Sequence, residues 1–164
     1  ATKYLDQKWD HVLFSFHGIP QRQMKKADVS GKHCLQVKDC CETLTENNKF
    51  CYSAQCHQTA RLIVEDLKLD KKDYTLCFQS RLGNDPWMQP YTSDVLKDLA
   101  AKGVKRILVL CPAFVADCLE TLYEITFEYQ EEFESLGGEK VQLVESLNDN
   151  PRWIDALEDI ILNK

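Results

Sequence analysis

One histidine and a row of carboxylates are the first residues of the chain whose types and spacing could do chemistry. His17 directly follows a run of apolar residues, and an imidazole there could bind a metal or accept protons near neutral pH. Glu120, Glu124 and Glu128 follow one another at intervals of four, which on an α-helix places their carboxylates nearly above one another, and Asp117 precedes them. Such a row could carry a divalent cation or protons, although a solvated helix face also tolerates it.

Cysteines form the second group. The chain has eight of them. Five lie close together in the sequence: Cys34, Cys40, Cys41, Cys51 and Cys56. Four thiolates can hold zinc or an iron–sulfur cluster, and free thiols in a loop are the alternative. Because the side chains of adjacent residues point in different directions, we expect only one of Cys40 and Cys41 to ligate a given iron.

Four further candidates follow the ends of predicted strands. Trp87 and Phe114 could stack on a flat ligand or simply pack in the core, and Arg81 adds a cation. Cys118, between Asp117 and Glu120, is either a small apolar residue or a soft metal ligand. The chain has no Walker A loop and no G-x-G-x-x-G, so no motif supports nucleotide binding.

The elements that must position these residues alternate along the chain. Strands are predicted at 11–16, 74–78, 104–110 and 141–144, and helices at 54–69, 93–102, 117–136 and 151–162. Residues 21–50 show no clean periodicity and are expected to be structureless. Four alternations predict an α/β protein with a parallel sheet and helices on both faces. The segments 17–20, 79–87, 112–120 and 145–150 then line one crevice at the carboxyl ends of the strands.

Composition narrows the class of protein. The chain has 164 residues, 44% of them hydrophobic, which suits a single domain with a real core. Its net charge of −6 argues against a nucleic-acid partner. The longest apolar run, 107–116, is too short for a membrane span, which needs about 18 residues. No signal peptide is evident, so a cytoplasmic protein is expected.

Several stretches together resemble the ferrochelatase family, and the match runs over nearly the whole chain. They are Phe14-Ser15-Phe16-His17-Gly18-Ile19-Pro20-Gln21-Arg22, Phe78-Gln79-Ser80-Arg81-Leu82-Gly83, Pro86-Trp87, Pro90-Tyr91-Thr92, the run from Cys111 to Leu122, and Leu147-Asn148 before Pro151. The resemblance implies a Rossmann-like, chelatase-like domain of three layers with a four-stranded parallel sheet. It also implies an enzyme that inserts Fe²⁺ into a porphyrin, protoporphyrin IX, in haem biosynthesis.

The resemblance covers only the C-terminal half of that enzyme. Residues 1–164 are therefore expected to be one domain that lacks the N-terminal half, which carries the opposing wall of the porphyrin cleft. The domain alone is expected to be inactive. The implied partners are porphyrin, ferrous iron and the N-terminal half, with no nucleic acid. Peripheral association with the inner membrane and oligomer formation are compatible with the resemblance.

Site residues are carried over position by position. The resemblance makes His17 the catalytic residue that binds metal or accepts pyrrole protons, with Glu120 as its partner. It makes Glu124 and Glu128 a path for metal or protons, to which Asp117 is added from its place before Glu120. Porphyrin-binding positions are Trp87, Phe114, Arg81 and Cys118. Cys118 stands where animal members have histidine.

The resemblance also assigns a role to the cysteine-rich stretch. Residues 24–50 look like the insert of those members that carry a [2Fe–2S] cluster on four cysteines. Cys34, Cys41 and Cys51 rank first as ligands, and the fourth stays open between Cys40 and Cys56. Two alternatives remain: another chelatase, such as a cobalt or nickel chelatase, and a non-enzymatic iron–sulfur or zinc-binding module. The tryptophan-bearing loop argues against the first of these.

Overall fold

Four parallel strands form one sheet at the centre of the molecule. The structure, a computed structural model, describes residues 1–162. The strands are β1 (His11–His17), β2 (Tyr74–Gln79), β3 (Arg106–Leu110) and β4 (Lys140–Leu143). Their order across the sheet is β2-β1-β3-β4, and every pairing is parallel. The predicted α/β class with a parallel sheet is confirmed.

Helices connect the strands. They are α1 (Thr2–Leu5), α2 (Gln21–Lys26), α3 (Tyr52–Leu67), α4 (Thr92–Ala101), α5 (Leu119–Leu122), a π-helix (Glu124–Glu128), α6 (Tyr129–Ser135) and α7 (Pro151–Leu162). The prediction that 21–50 has no regular structure is wrong at its start, where α2 follows Pro20 directly. Proline at that point presets the backbone for a helix start. Among residues 1–162, no helix is both long and apolar enough to cross a bilayer.

Two apolar clusters, one on each face of the sheet, hold the layers together. On one face, Phe14 and Phe16 of β1 pack with Ala60 of α3. On the other, Leu13 of β1 belongs to the cluster that contains Phe133 of α6. Burying one such side chain stabilises the fold by about 1.5–3 kcal/mol. Side chains alternate across a strand, so a continuous apolar run in β1 feeds both clusters at once.

The carboxyl edge of the sheet gathers the loops that follow the strands, as predicted. Gln79, at the end of β2, donates its side-chain amide to the backbone oxygen of Glu120 at 2.7 Å. Pro20, after β1, forms a backbone bridge with Trp87. The backbone amide of Asn148, after β4, bonds to the loop that follows β3. The loops therefore form one crevice with the strand ends at its base.

The single long α-helix predicted over 117–136 is wrong. The segment forms α5, then the π-helix, then α6. The amide of Glu128 bonds to the carbonyl of Tyr123 five residues earlier, at 3.2 Å. Such wide turns are rare and occur mostly at functional sites. Here the wide turn contains Glu124, whose side chain is bonded to the end of β2.

Candidate functional site

His17 ends β1 and faces the crevice with one ring nitrogen available. Its Nδ1 lies 2.6 Å from the carbonyl oxygen of Gly18. Because a carbonyl only accepts, Nδ1 carries the proton of that bond. In the neutral ring, Nε2 is then left with its lone pair. The local backbone therefore selects the tautomer in which Nε2 can accept a proton or bind a metal.

Gly18 is required directly after His17 because the chain passes very close to its neighbours there. A Cβ at this position would lie 3.1 Å from the backbone oxygen of Gln79 and 3.3 Å from Cε3 of Trp87. The amide of Gly18 also donates to the carbonyl of Gln79 at 2.9 Å. The glycine thus lets β1 and the loop after β2 close around the base of the crevice.

Two aromatic rings flank the imidazole. The ring centroid of Trp87 lies 6.3 Å from that of His17, and the centroid of Phe114 lies 5.9 Å from it. The two loops that carry these rings follow β2 and β3, on either side of β1. Both rings therefore lie beside His17, and their role in binding porphyrin stays a prediction.

Glu120 is a half-exposed carboxylate held in its charged form. Its pKa is lowered, first by a hydrogen bond from the thiol of Cys118, then by its own backbone amide and by the charge of His17. Cys118 also begins α5, where its side chain and that of Thr121 cap each other's backbone amides. Cys118 therefore acts here as a cap and a donor to Glu120.

Glu124 is bonded to four neutral donors. Its carboxylate accepts from the backbone amide of Ser80 at 2.8 Å and from the Ser80 hydroxyl at 2.6 Å. It also accepts from Gln79 Nε2 at 3.0 Å and from the Tyr129 hydroxyl at 2.9 Å. Burial, followed by the negative charge of Glu124, raises the pKa of Tyr129, so that hydroxyl stays a donor. Glu124 ties the π-helix to the end of β2.

The other carboxylates and Arg81 lie in different surroundings. Asp117 accepts from Asn148 Nδ2 at 2.8 Å and from the amide of Ser146 at 3.0 Å, joining the loops after β3 and β4. Glu128 is exposed at the end of the π-helix. The guanidinium of Arg81 lies 4.7 Å from the ring centroid of Tyr91. The carboxylate row is thus not a uniform ladder, because Asp117 and Glu124 are bonded to distant loops, the carboxylate of Glu120 is bonded only to nearby groups of its own segment, and Glu128 is exposed.

Four of the clustered cysteines meet in the segment before α3. Cys40 Sγ lies 3.7 Å from Cys41 Sγ. The thiol of Cys51 is hydrogen-bonded to those of Cys41 and Cys34. The expectation that Cys40 and Cys41 point apart is wrong. The two neighbouring sulfurs lie within contact distance on the same side of the chain.

Cys56 stands apart from this set, which we call the thiol cluster (Cys34, Cys40, Cys41 and Cys51). It lies in the first turns of α3 against Tyr52, and burial raises its pKa to about 12. Burial likewise raises the pKa of Cys34 to about 11. The pKa of Cys51 is lowered to about 6 because the thiol of Cys41 and backbone amides at the start of α3 donate to its sulfur.

Two polar side chains hold the thiol cluster's backbone, and sequence reasoning missed both. Asn48, only 3% exposed, accepts from the amide of Thr45 at 2.6 Å and donates to the carbonyl of Cys40 at 2.8 Å. Asp28 accepts from the amides of His33 and Cys34, each at 2.8 Å. Asn48 lies between Cys41 and Cys51, and Asp28 precedes Cys34; Asn and Asp at such positions are the sequence signal for these turns.

No group of three histidine, cysteine, aspartate or glutamate side chains within residues 1–162 is placed to hold a single metal ion. The sulfurs of the thiol cluster instead follow one another, with contacts between Cys40 and Cys41, between Cys41 and Cys51, and between Cys51 and Cys34. In the crevice, His17 and Glu120 are close enough for the charge of the imidazole to lower the pKa of the carboxyl.

Fold and site together define an α/β protein with a histidine beside two aromatic rings, and a carboxylate near it, at the carboxyl edge of a parallel sheet. The ferrochelatase family model matches residues 1–164. The chain belongs to the ferrochelatase family.

Individual relatives agree with that membership. Ferrochelatases from Ectopseudomonas mendocina and Azotobacter vinelandii are 50% and 49% identical, over 96% and 98% of this chain. The one from Legionella pneumophila is 47% identical over 92% of the chain. These alignments cover 46%, 48% and 44% of the relatives, so the chain spans about half of their length. A solved structure from Marinobacter aquaeolei, whose title provisionally names a CbiX protein of cobalamin biosynthesis, covers 92% of this chain at a TM-score of 0.49 and 16% identity.

Proposed function

We propose that this chain forms the half of a ferrochelatase that carries the metal-inserting residues, and that Fe²⁺ enters a porphyrin in its crevice. The observation that carries the proposal is that His17 lies beside the rings of Trp87 and Phe114 and close enough to Glu120 to lower the pKa of its carboxyl. A porphyrin is flat and largely apolar, and aromatic walls suit such a ligand. The other half of the relatives' length would supply the opposing wall.

The chemistry needs a base and a nearby negative charge. Inserting a divalent ion releases two protons from the pyrrole nitrogens. Nε2 of His17 has the lone pair to accept one, because Nδ1 is bonded to Gly18. The charged carboxylate of Glu120 would stabilise the imidazolium that results, and its oxygens also suit Fe²⁺ as the incoming substrate.

The remaining carboxylates take different parts in this proposal. Glu128 is exposed and can attract a cation or release protons to solvent. Glu124 has its oxygens occupied by Ser80, Gln79 and Tyr129, so it contributes negative charge and position rather than open ligand atoms. The path would therefore run from Glu128 to Glu120 past Glu124.

Anaerobic insertion of Fe²⁺ into protoporphyrin IX by the full-length protein that contains this chain tests the proposal. The loss of porphyrin fluorescence reports the rate. We expect His17→Ala to lower kcat by about a hundredfold or more while the fold survives, since a positioned acid–base group contributes about 10²–10⁴-fold. His11→Gln, at the opposite end of β1, is the matched control and should leave kcat unchanged. Near-normal turnover by His17→Ala would contradict the assignment.

We further propose that the thiol cluster holds a [2Fe–2S] centre. Around a tetrahedral metal with metal–sulfur distances of about 2.3 Å, two thiolate sulfurs lie about 3.8 Å apart. The separation of Cys40 and Cys41, 3.7 Å, fits that edge. Cys51 is hydrogen-bonded to both Cys41 and Cys34, so Cys34 and Cys51 could ligate the second iron while Cys40 and Cys41 ligate the first. The contacts thus favour Cys40 over Cys56 as the fourth ligand.

When bound, such a centre can exchange one electron and cross-links the two ends of the cysteine-rich segment. Absorption spectra of protein purified without oxygen, with iron and sulfide analysis, test the assignment. Cys34→Ser and Cys51→Ser should lose the visible bands, whereas Cys56→Ser, the matched control, should keep them. A colourless protein that binds zinc instead of iron would contradict this centre without affecting the chelatase assignment.

A further inference from the structure

Tyr52 lies between the thiol cluster and His17. It follows Cys51 directly and is the first residue of α3. Its hydroxyl donates to the backbone oxygen of His17 at 2.9 Å. Burial raises the pKa of Tyr52, so the hydroxyl keeps the proton that it donates. One side chain therefore spans from the cysteine-rich segment to the candidate catalytic residue.

The bond from Tyr52 fixes the backbone that sets the imidazole orientation. The peptide between His17 and Gly18 is held on both sides, by Tyr52 at its carbonyl and by the carbonyl of Gln79 at its amide, the latter at 2.9 Å. The next carbonyl, that of Gly18, accepts from Nδ1 of the imidazole at 2.6 Å. If the first peptide rotated, the Gly18 carbonyl would move away from Nδ1, and Nε2 would move with the ring.

At its other end, Tyr52 depends on Cys51. Cys51 precedes the first turn of α3 and is 5% exposed. Its sulfur accepts from the backbone amides of Ser53 and Ala54, and it also contacts the thiols of Cys41 and Cys34. The position of Cys51 therefore determines where α3 begins and from which point of the backbone the Tyr52 side chain extends.

We propose that Tyr52 is a positioning residue that couples the state of the thiol cluster to the orientation of His17. A metal centre bound through Cys51 fixes the start of α3, and Tyr52 transmits that constraint to the His17 carbonyl. Without the centre, Cys51 keeps only its hydrogen bonds to the thiols of Cys41 and Cys34 and to nearby backbone groups, and the imidazole samples more orientations. The inference rests on the proposed [2Fe–2S] centre and gives it a function at the crevice that requires no electron transfer.

Imidazole NMR tests the coupling directly because the chain has only four histidines. The Cε1–H signal of His17, assigned with His17→Gln, is recorded in the iron–sulfur-loaded protein and after removal of the centre with a chelator. Removal should displace and broaden this signal in the wild-type protein. In Tyr52→Phe, which lacks only the hydroxyl, that response should be lost. The magnetic effect of the centre itself is the same in both proteins, so their difference reports the hydrogen bond.

Tyr74→Phe is the matched control. Tyr74 is half-buried at the opposite end of the sheet, with its ring edge-on to Phe14 at a centroid distance of 5.8 Å. This variant should keep the wild-type response, and circular dichroism checks that both variants fold. Hydrogen exchange of the Gly18 amide gives a second measure, which should quicken on removal of the centre in the wild-type protein and already be fast in Tyr52→Phe.

The outcomes separate the two proposals. If the visible bands form but His17 and Gly18 respond equally in wild type and Tyr52→Phe, the coupling is wrong and the centre stands. If no bands form under any anaerobic reconstitution, the centre is wrong and the coupling falls with it. A response that only Tyr52→Phe removes supports both.

Discussion

The hydrogen bonds that stabilise the crevice and those that stabilise the cysteine-rich segment join residues at very different separations along the chain. In the crevice, Glu124 joins residues 44 positions apart when it accepts from Ser80. In the segment, Asn48 bonds to Cys40 eight positions away and Asp28 to Cys34 six positions away. Anchors that join distant elements contribute to the stability of the whole domain, whereas anchors within one loop order only that loop. The comparison predicts whether a substitution lowers the stability of the whole domain or only that of one loop.

The two regions also differ in how they are prepared for a cation. Glu120 is already charged in the crevice, because hydrogen bonds lower its pKa. In the segment, burial raises the pKa of Cys34 to about 11, so this thiol must lose a proton when a metal binds. Cys51, with its pKa near 6, is the sulfur at which binding would start. The crevice therefore presents a carboxylate that is already ionised, whereas Cys34 in the segment keeps its proton near neutral pH.

The largest effect is expected when the long-range anchor of the crevice is removed. Glu124→Ala leaves donors on Ser80, Gln79 and Tyr129 without a partner, and should lower the free energy of unfolding by about 3 kcal/mol. Urea denaturation followed by circular dichroism measures this. Glu128→Ala, one turn further and exposed, is the matched control and should change stability by less than about 0.5 kcal/mol. Equal decreases in the free energy of unfolding for the two variants would contradict the role of Glu124 as a long-range anchor.

A smaller and local effect is expected from Asn48. Asn48→Ala removes the bonds to Thr45 and Cys40 and should loosen the segment by about 2 kcal/mol. Hydrogen exchange should quicken in residues 40–51 and stay unchanged in β1. The exposed neighbour Asn47 supplies the control, since Asn47→Ala should leave the exchange as it is. Faster exchange throughout the sheet in Asn48→Ala would mean that the segment supports the whole domain.

The same contrast explains what the sequence could predict. A strand that is apolar throughout and ends at His17-Gly18 has few options, so β1, its parallel neighbours and the crevice followed from pattern alone. Trp87 and Phe114 followed because parallel strands bring their carboxyl ends together. These features depend on the periodicity of many residues, and no single side chain decides them.

Features that depend on one or two specific contacts in the folded structure could not be predicted from the sequence. Carboxylates four residues apart look alike on an α-helix and on a π-helix, and the wide turn at Glu124 accompanies its bonds to Ser80, far away in sequence. In the sequence Asp117 cannot be distinguished from the other acidic residues, because its hydrogen bond from Asn148 joins two different loops of the folded structure. The contact between the sulfurs of Cys40 and Cys41 depends on the local backbone and on the two side-chain rotamers, which the sequence does not specify.

The smallest effect is a pH-dependent loosening of the segment around Asp28. Hydrogen bonds from Ser30 and from the amides of Cys34 and His33 lower its pKa below the usual 3.8. The carboxylate therefore stabilises the turn fully above about pH 4, and this contribution is lost as the pH falls towards the lower folded value. The amide signals of His33 and Cys34 should stay constant above about pH 4 and shift as the pH falls from about 4 towards 2, and Asp28→Asn should abolish this shift. Asp39→Asn, in the same segment, should leave it intact. If the transition persisted in Asp28→Asn, another group would control the turn and the local nature of this anchor would be refuted.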